Sequence, residues 1–323
     1  MIKTLNIKNF KSIKDLELDC KKINLFIGKP NTGKSNILES VGIFSFPYST
    51  NLREIVRFEN MTNLFYDHDT SEKIEITADD IYCEIQFKNG HFMGKGEDKE
   101  KMPPRFNFDF NYNGQGSIGK ISEEVSPFKV YKFAIMDKFQ IQAYDFLLPP
   151  KGENLLSILQ TNKTLRKFVA EILNKYGLRI VLKPQDSKIE VQKEIEDVII
   201  SYPYSLVSDT LQRIIFYLVA IETNKGSTII FEEPEAHAFP FYTKFLAERI
   251  AMDKSNQYFI STHNPYLLLS ILEKAPKNDI GVFIVYFKNY QTKVRTLSEE
   301  EMAEIFDLDS SIFFNLDRFL EEE

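Results

Sequence analysis

The octapeptide Gly28-Lys29-Pro30-Asn31-Thr32-Gly33-Lys34-Ser35 constrains the fold of this chain more than any other stretch. The apolar run Ile23-Asn24-Leu25-Phe26-Ile27 precedes it and Asn36-Ile37-Leu38-Glu39 follows, so the segment reads strand, phosphate loop, helix. At average residue usage the pattern G-x4-G-K-[ST] arises by chance in roughly one chain in a hundred of this length. Its two glycines let backbone N–H groups turn toward a phosphate, and the helix beginning near Gly33 adds its positive end. Lys34 is placed to neutralise β- and γ-phosphate charge, and the Ser35 hydroxyl to take one coordination position on Mg²⁺. Gly28, Lys29, Pro30, Asn31, Thr32, Gly33, Lys34, Ser35 and Asn36 are therefore the expected nucleotide contacts, on an α/β fold of the P-loop NTPase type.

Two further signals sit at predicted strand exits. Ser227-Thr228-Ile229-Ile230-Phe231 runs into Glu232-Glu233-Pro234-Glu235. In a parallel sheet that end faces the ligand crevice. Phosphoryl transfer needs one acid for the metal and one to orient or deprotonate water, and adjacent residues can divide the work. Glu232 is assigned to the metal and Glu233 to the water. Thirty residues on, Phe259-Ile260-Ser261-Thr262-His263-Asn264-Pro265 gives a second exit, from which His263 can reach the γ-phosphate or the attacking water. An acidic turn or a strand-end histidine taken alone is more often structural; their order behind a phosphate loop favours function. His237 either lines the site or packs at the surface.

The start of the chain alternates apolar and polar over 2–8 and 13–19 around Asn9-Phe10-Lys11-Ser12, which predicts a hairpin leading into the strand at 23–27. The helix after the loop shows Ile37, Leu38 and Val41 on one face and ends before Pro47. Residues 51–150 read as an inserted β-rich lobe of short alternating runs (74–77, 82–87, 106–110, 130–135), its turns holding six of the thirteen glycines, with Lys95–Pro104 as a mobile loop tip. Helical spacing returns with Leu155, Leu156, Ile158 and Leu159 and, after a break at 161–163, with Leu165, Phe168, Val169 and Ile172, followed by strands at 179–182 and 189–192. A helix at 209–222 opens with Asp209 and Gln212 as a capping box. Strand and helix then alternate at 228–231, 240–252, 257–261 and 265–274 before paired strands at 280–287 and 292–297. This divides the chain into 1–50, 51–150, 151–297 and an acidic tail, 298–323. Hydrophobic residues make up 43% of the 323, ordinary for a globular protein. No run approaches the ~18 residues a membrane span needs, so the chain reads as cytoplasmic and without membrane contact. Cys20 and Cys83 lack partners spaced for a disulfide or zinc. Of the formal charge of −7, the tail alone supplies −9 (ten acids against Arg318), which leaves a near-neutral body. The tail reads as a solvated last helix or as an autoinhibitory mimic of nucleic acid.

Phosphate loop, long insertion, Ser208-Asp209 helix start, Phe231-Glu232-Glu233-Pro234-Glu235-Ala236-His237 and Ser261-Thr262-His263-Asn264-Pro265, in this order, resemble the ABC-type ATPase head of SMC, RecF and OLD-like proteins; Leu5-Asn6-Ile7-Lys8-Asn9-Phe10-Lys11-Ser12 is similar to the first hairpin of that group. The resemblance implies a mixed, largely parallel sheet core and a pair of heads sandwiching two ATP molecules. Ser205–Thr210 occupies the signature position without the usual glycine, which leaves Ser208 and the free N–H groups of the following helix to meet the partner's γ-phosphate. Glu232 stands where Asp is usual, consistent with slow hydrolysis. Gln140 or Gln142 takes the place of the Mg²⁺-sensing glutamine. No heptad run and no Cys-x-x-Cys occur in the sequence, and the ~50 residues after 273 are expected to be too few for a nuclease domain. The resemblance thus implies an ATPase head that dimerises on ATP and acts, in DNA repair or phage defence, on nucleic acid or a separate effector protein. A different class fits the altered signature: a nucleotide-sensing module, with negligible hydrolysis, that gates a partner. A transporter motor and a small-molecule kinase fit less well.

Overall fold

The computed structural model describes residues 1–98, 101–119, 121, 126–142 and 144–320, and the side chains of all of these except 101–104 and 309–310. The opening alternation forms the hairpin β1 (Thr4–Phe10) and β2 (Ile13–Asp19), with Leu5 opposite Leu18 and Ile7 opposite Leu16. Then come β3 (Ile23–Ile27), α1 (Lys34–Gly42) and two short helices, α2 (Phe46–Ser49) and α3 (Leu52–Ile55). Pro47 lies in the first turn of α2, where its missing N–H costs nothing.

The strands between 74 and 118 do not form a sheet of their own. β4 (Ile74–Ala78) pairs with the open edge of β1, and β5 (Ile81–Lys88), β6 (His91–Asp98), β7 (Lys101–Phe110) and β8 (Gly116–Ile118) extend one antiparallel sheet in the order β2-β1-β4-β5-β6-β7-β8. An unpaired hairpin edge is a row of unmet N–H and C=O groups, and β4 satisfies it. Lys95–Pro104 is mostly strand rather than a loop tip: 95–98 end β6, 101–104 open β7, and 99–100 lie outside the described residues. Gly94 and Gly96, counted as turn residues, lie within β6, where an added Cβ would stand 2.1 Å from the Phe108 ring and 2.3 Å from the Phe106 ring. These glycines make room for the rings across the strand pair.

The chain then crosses to the central sheet through β9 (Phe128–Tyr131), shorter than the 130–135 run suggests and shifted toward the N-terminus. It continues through α4 (Leu155–Thr161), α5 (Lys163–Asn174) and a three-stranded sheet, β10 (Arg179–Lys183), β11 (Lys188–Ile195) and β12 (Val198–Pro203). After α6 (Asp209–Thr223) come β13 (Thr228–Glu232), α7 (Pro240–Met252), β14 (Gln257–Ser261), α8 (Pro265–Lys274), β15 (Ile280–Lys288), β16 (Gln291–Thr296) and α9 (Glu299–Leu308). The central order is β16-β15-β3-β14-β13-β9, parallel except for β16. Both faces are covered, so its strands read as continuous apolar runs. Leu25, Ile27, Ile229, Phe231 and Ile260 pack toward α4–α8, whereas Phe26, Ile230, Phe259 and Phe283 face α1 and the antiparallel sheet.

Two further expectations are corrected. The N-cap of α6 is Ser208, whose side chain accepts from Leu211 N–H at 3.4 Å; Asp209 pairs with Arg213 at 2.7 Å, and the Gln212 amide donates to Val207 O at 2.7 Å. The acidic C-terminal segment is docked, not solvated: Ile305, Ile312, Leu316 and Phe319 are buried in the core beneath the central sheet's helices. Their spacing gives the segment an apolar face that its acids conceal in a charge count. Among the described residues no helix is long and apolar enough to cross a membrane.

Candidate nucleotide site

β3, β14 and β13 are neighbours and parallel, so the phosphate loop, the Ser261–Asn264 turn and the Glu232-Glu233 turn leave the sheet side by side. They line a cleft of about 420 Å³ with Pro30, Asn31, Thr32, Gly33, Lys34, Ser35 and Asn36 on one wall and Glu233, Ser261 and His263 on another. Gly33 takes φ 102° at the N-cap of α1, which has no side-chain cap, so the first amides of the helix remain available to an anion. An added Cβ would stand 2.0 Å from Thr292 Oγ1 at Gly33 and 2.2 Å from Val285 O at Gly28. Only glycine fits either position.

Lys34 is buried, its ammonium donating to Gly28 O at 2.9 Å and Lys29 O at 2.7 Å. Burial pushes it down to about 8, against the pull of Glu233. Glu233 sits at φ 44° with its N–H donating to Ser261 O at 3.0 Å, a conformation that turns its side chain off the strand line. His263 Nε2 lies 3.5 Å from Glu233 Oε1. Burial and the Lys34 charge lower the His263 pKa, which favours the neutral imidazole near neutral pH.

Glu232 is one residue from the cleft wall and pairs with Arg57 at 3.2 Å; Arg57 also holds the buried Glu39 at 2.9 Å, and Lys11 pairs with Glu39 as well. Lys29 points away, to Asp317 at 2.8 Å. Gln140 is not brought to the cleft, since its amide donates to Glu153 Oε2 at 2.6 Å and it is absent from the lining, and Gln142 bonds back to Gln140. Ser208 is exposed at the start of α6, outside this cleft. His237 is also exposed and outside it, near Asp209 at 3.8 Å.

Sequence reading missed Ser12, Arg57, Ser261, Phe287 and Thr292. Thr292 Oγ1 donates to Thr32 O at 2.9 Å and meets Ser12 Oγ at 2.7 Å, and Ser12 Oγ accepts from Asn36 at 2.6 Å, so the β16 hairpin and the first hairpin brace the loop from outside. No local pattern marks a threonine 260 residues from the loop it holds. The Ser261 hydroxyl is buried, lines the cleft and has no hydrogen-bond partner among the described residues. Unmet donors, a buried ammonium and the two glycine cradles fit a polyphosphate. Among the described residues no three His, Cys, Asp or Glu side chains form a ready metal cage. Of the two residues expected at a metal, Ser35 lines the cleft, whereas Glu232 is not part of its lining and is held by Arg57.

A family model described as AAA ATPase domain matches residues 1–212, and a second AAA domain model matches residues 160–270. An ATP/GTP phosphatase of Helicobacter pylori is 23% identical over 361 aligned positions, covering 93% of each chain. The DNA replication and repair protein RecF of Clostridioides difficile is 43% identical over 68 residues, which are 20% of this chain and 18% of RecF. Among solved structures, an SmcHead bound to the C-winged helix domain of ScpA superimposes with TM-score 0.54 at 17% identity, covering 93% of this chain and 99% of that one. An Smc head domain with an extended coiled coil, bound to the C-terminal domain of ScpA derived from Pyrococcus furiosus, gives 0.52 at 14% identity, covering 95% and 98%. With about two thirds of its length matched by one family model, the chain belongs to the AAA ATPase domain family, and its fold is that of the Smc heads.

Proposed function

We propose that the chain binds ATP with Mg²⁺ in this cleft and hydrolyses it slowly, and that two heads close on two nucleotides and pass the closure to nucleic acid or a separate effector protein, in DNA repair or phage defence. The observation that carries the reading is the convergence of Lys34, Glu233 and His263 on one cleft, with the last two 3.5 Å apart. Lys34 exchanges its loop carbonyls for phosphate oxygens. Ser35 and Glu232 would hold Mg²⁺, which when bound offsets phosphate charge. Glu233 orients water and takes its proton, and neutral His263 steadies the Glu233 carboxylate. A second cavity of about 700 Å³ adjoins the cleft through Ser12, Arg57 and Phe287 and offers Phe58 and Tyr290 to a base. Ser208, exposed at the N-cap of α6, is free to meet the partner head's nucleotide. The name of the Helicobacter relative supports nucleotide hydrolysis, and those of RecF and the ScpA-bound heads support a DNA-linked role and a protein effector.

Light scattering of the Glu233→Gln protein with and without Mg²⁺-ATP tests the reading. A monomer-to-dimer shift that Lys34→Ala abolishes is expected, together with phosphate release by the parent well above that of Lys34→Ala. Parental hydrolysis by Glu233→Gln refutes the assignment of the water-activating carboxylate. ATP binding without a mass shift refutes closure on a like partner.

A further inference from the structure

None of the roles above uses Glu235, two residues past Glu233 and only 5% exposed. Its Oε1 accepts a hydrogen bond from Thr262 Oγ1 at 2.5 Å. Among the described residues Oε2 makes no hydrogen bond of good geometry, although the His263 amide lies near enough to favour the charged form. Burial pushes this carboxyl up to about 7, opposed by the Thr262 hydroxyl. Such a group costs stability relative to an apolar side chain of the same shape, so its place here calls for a function.

The contacts of Thr262 indicate one. Thr262 is fully buried; its N–H donates to Phe26 O at 3.2 Å, just before the phosphate loop, and its hydroxyl accepts from Asn264 N–H at 3.0 Å while donating to Glu235. Asn264 in turn caps α8, accepting from Tyr266 N–H at 2.9 Å. His263 lies between these two fixed residues. The turn that carries it is tied on one side to the phosphate-loop strand and on the other to the turn that carries Glu233.

We propose that Glu235 is a positioning residue: by accepting the Thr262 hydroxyl it holds the Ser261–Asn264 turn so that His263 stays beside Glu233. The inference rests on the roles proposed above for Glu233 and His263. Glu235 touches no substrate; it fixes the distance between two groups that do. A displacement of about 1 Å at such a pair can cost about a hundredfold in rate, so a brace of one buried hydrogen bond is worth keeping.

The test is steady-state ATP hydrolysis and equilibrium binding of a non-hydrolysable ATP analogue by the full chain. The variants are Glu235→Leu, Glu235→Gln, Thr262→Val and Thr262→Ser, beside Glu233→Gln and His263→Gln. Glu235→Leu and Thr262→Val are each expected to lower kcat about tenfold while KM and analogue affinity stay within about twofold, and the double variant should be no slower than the slower single one. Glu235→Gln and Thr262→Ser keep the acceptor and the donor and should recover at least about half of the parental kcat. Thr262→Val is nearly isosteric and carries the test by itself if Glu235→Leu does not fold. Parental kcat in Thr262→Val, equal loss of affinity and kcat, or no recovery in Glu235→Gln overturns the positioning role. If Glu233→Gln and His263→Gln hydrolyse at the parental rate, the reading of the site fails first; if both are slow while Glu235→Leu and Thr262→Val are not, only the positioning role fails.

Discussion

Nucleotide binding by this head should take up a proton above pH 8, and the amount follows from Lys34. Burial in the cleft holds its ammonium at about 8 instead of the ordinary 10.5. A polyphosphate against Nζ favours the charged form and returns the value to 10.5 or higher. The sign is then fixed: between the two values the complex holds a proton that the free protein lacks, so affinity is greatest below pH 8 and falls as pH rises. At pH 9 the uptake is about 0.9 proton per nucleotide. From pH 8 to 9.5 affinity drops about 15-fold, or ~1.6 kcal/mol. The γ-phosphate is past its second pKa of about 6 in this window and contributes little. Lys129 is also pushed down to about 8, but it is bonded to Asn224 and Ser227 near the start of β13, away from the cleft, and is not linked to the ligand. Calorimetry of the Glu233→Gln protein with Mg²⁺-ATP, in buffers of different ionisation enthalpy, reads the proton count directly. Lys34→Arg, charged throughout, should flatten the pH dependence. An uptake below about 0.2 proton at pH 9 with constant affinity would refute the reasoning, because Lys34 would then be charged before binding or not in contact with phosphate.

Three other perturbations probe separate supports of the site. Gly33→Ala puts a Cβ 2.0 Å from Thr292 Oγ1 at φ 102°, so nucleotide binding should be lost and the melting temperature should fall; adding Thr292→Ala should relieve the clash but not the backbone strain, so binding returns only in part. Phe319→Ala should cost about 3 to 5 kcal/mol in chemical denaturation, as expected of a core residue, whereas an undocked tail would show no change. Asn264→Ala removes the cap of α8 and should cost about 1 kcal/mol, with kcat falling more than stability requires because the same residue anchors the His263 turn; an unchanged kcat would separate the cap from the site.

Most of the local chemistry was legible in the residues themselves. A glycine pair spaced around a turn, an apolar run ending in two carboxylates and a strand ending in histidine each reflect a short-range rule: left-handed backbone at Gly33, burial of β13 and β14 on both faces, and polar residues where a strand leaves the sheet. Helices such as α5 and α6 were equally legible, because apolar spacing along one face needs no knowledge of the partner. Strand pairing was not. Nothing in residues 74–118 says that they extend the sheet of the first hairpin, since any alternating strand can satisfy any open edge. The docking of Ile312, Leu316 and Phe319 was hidden beneath ten acids, because net charge reports a segment's solvent face and not its buried one. The sequence by itself determined the local motifs, namely the glycine turn, the carboxylates that end β13 and the histidine that follows β14. Tertiary structure decided that β14 lies between β3 and β13, which brings His263 to Glu233 and Lys34 into one cleft, that Thr292 and Ser12 brace the loop, and that Gln140 is held by Glu153 instead. The reason is range: a motif is set by backbone sterics over a few residues, whereas a site depends on which strands become neighbours, and that is settled by burial summed over the whole core.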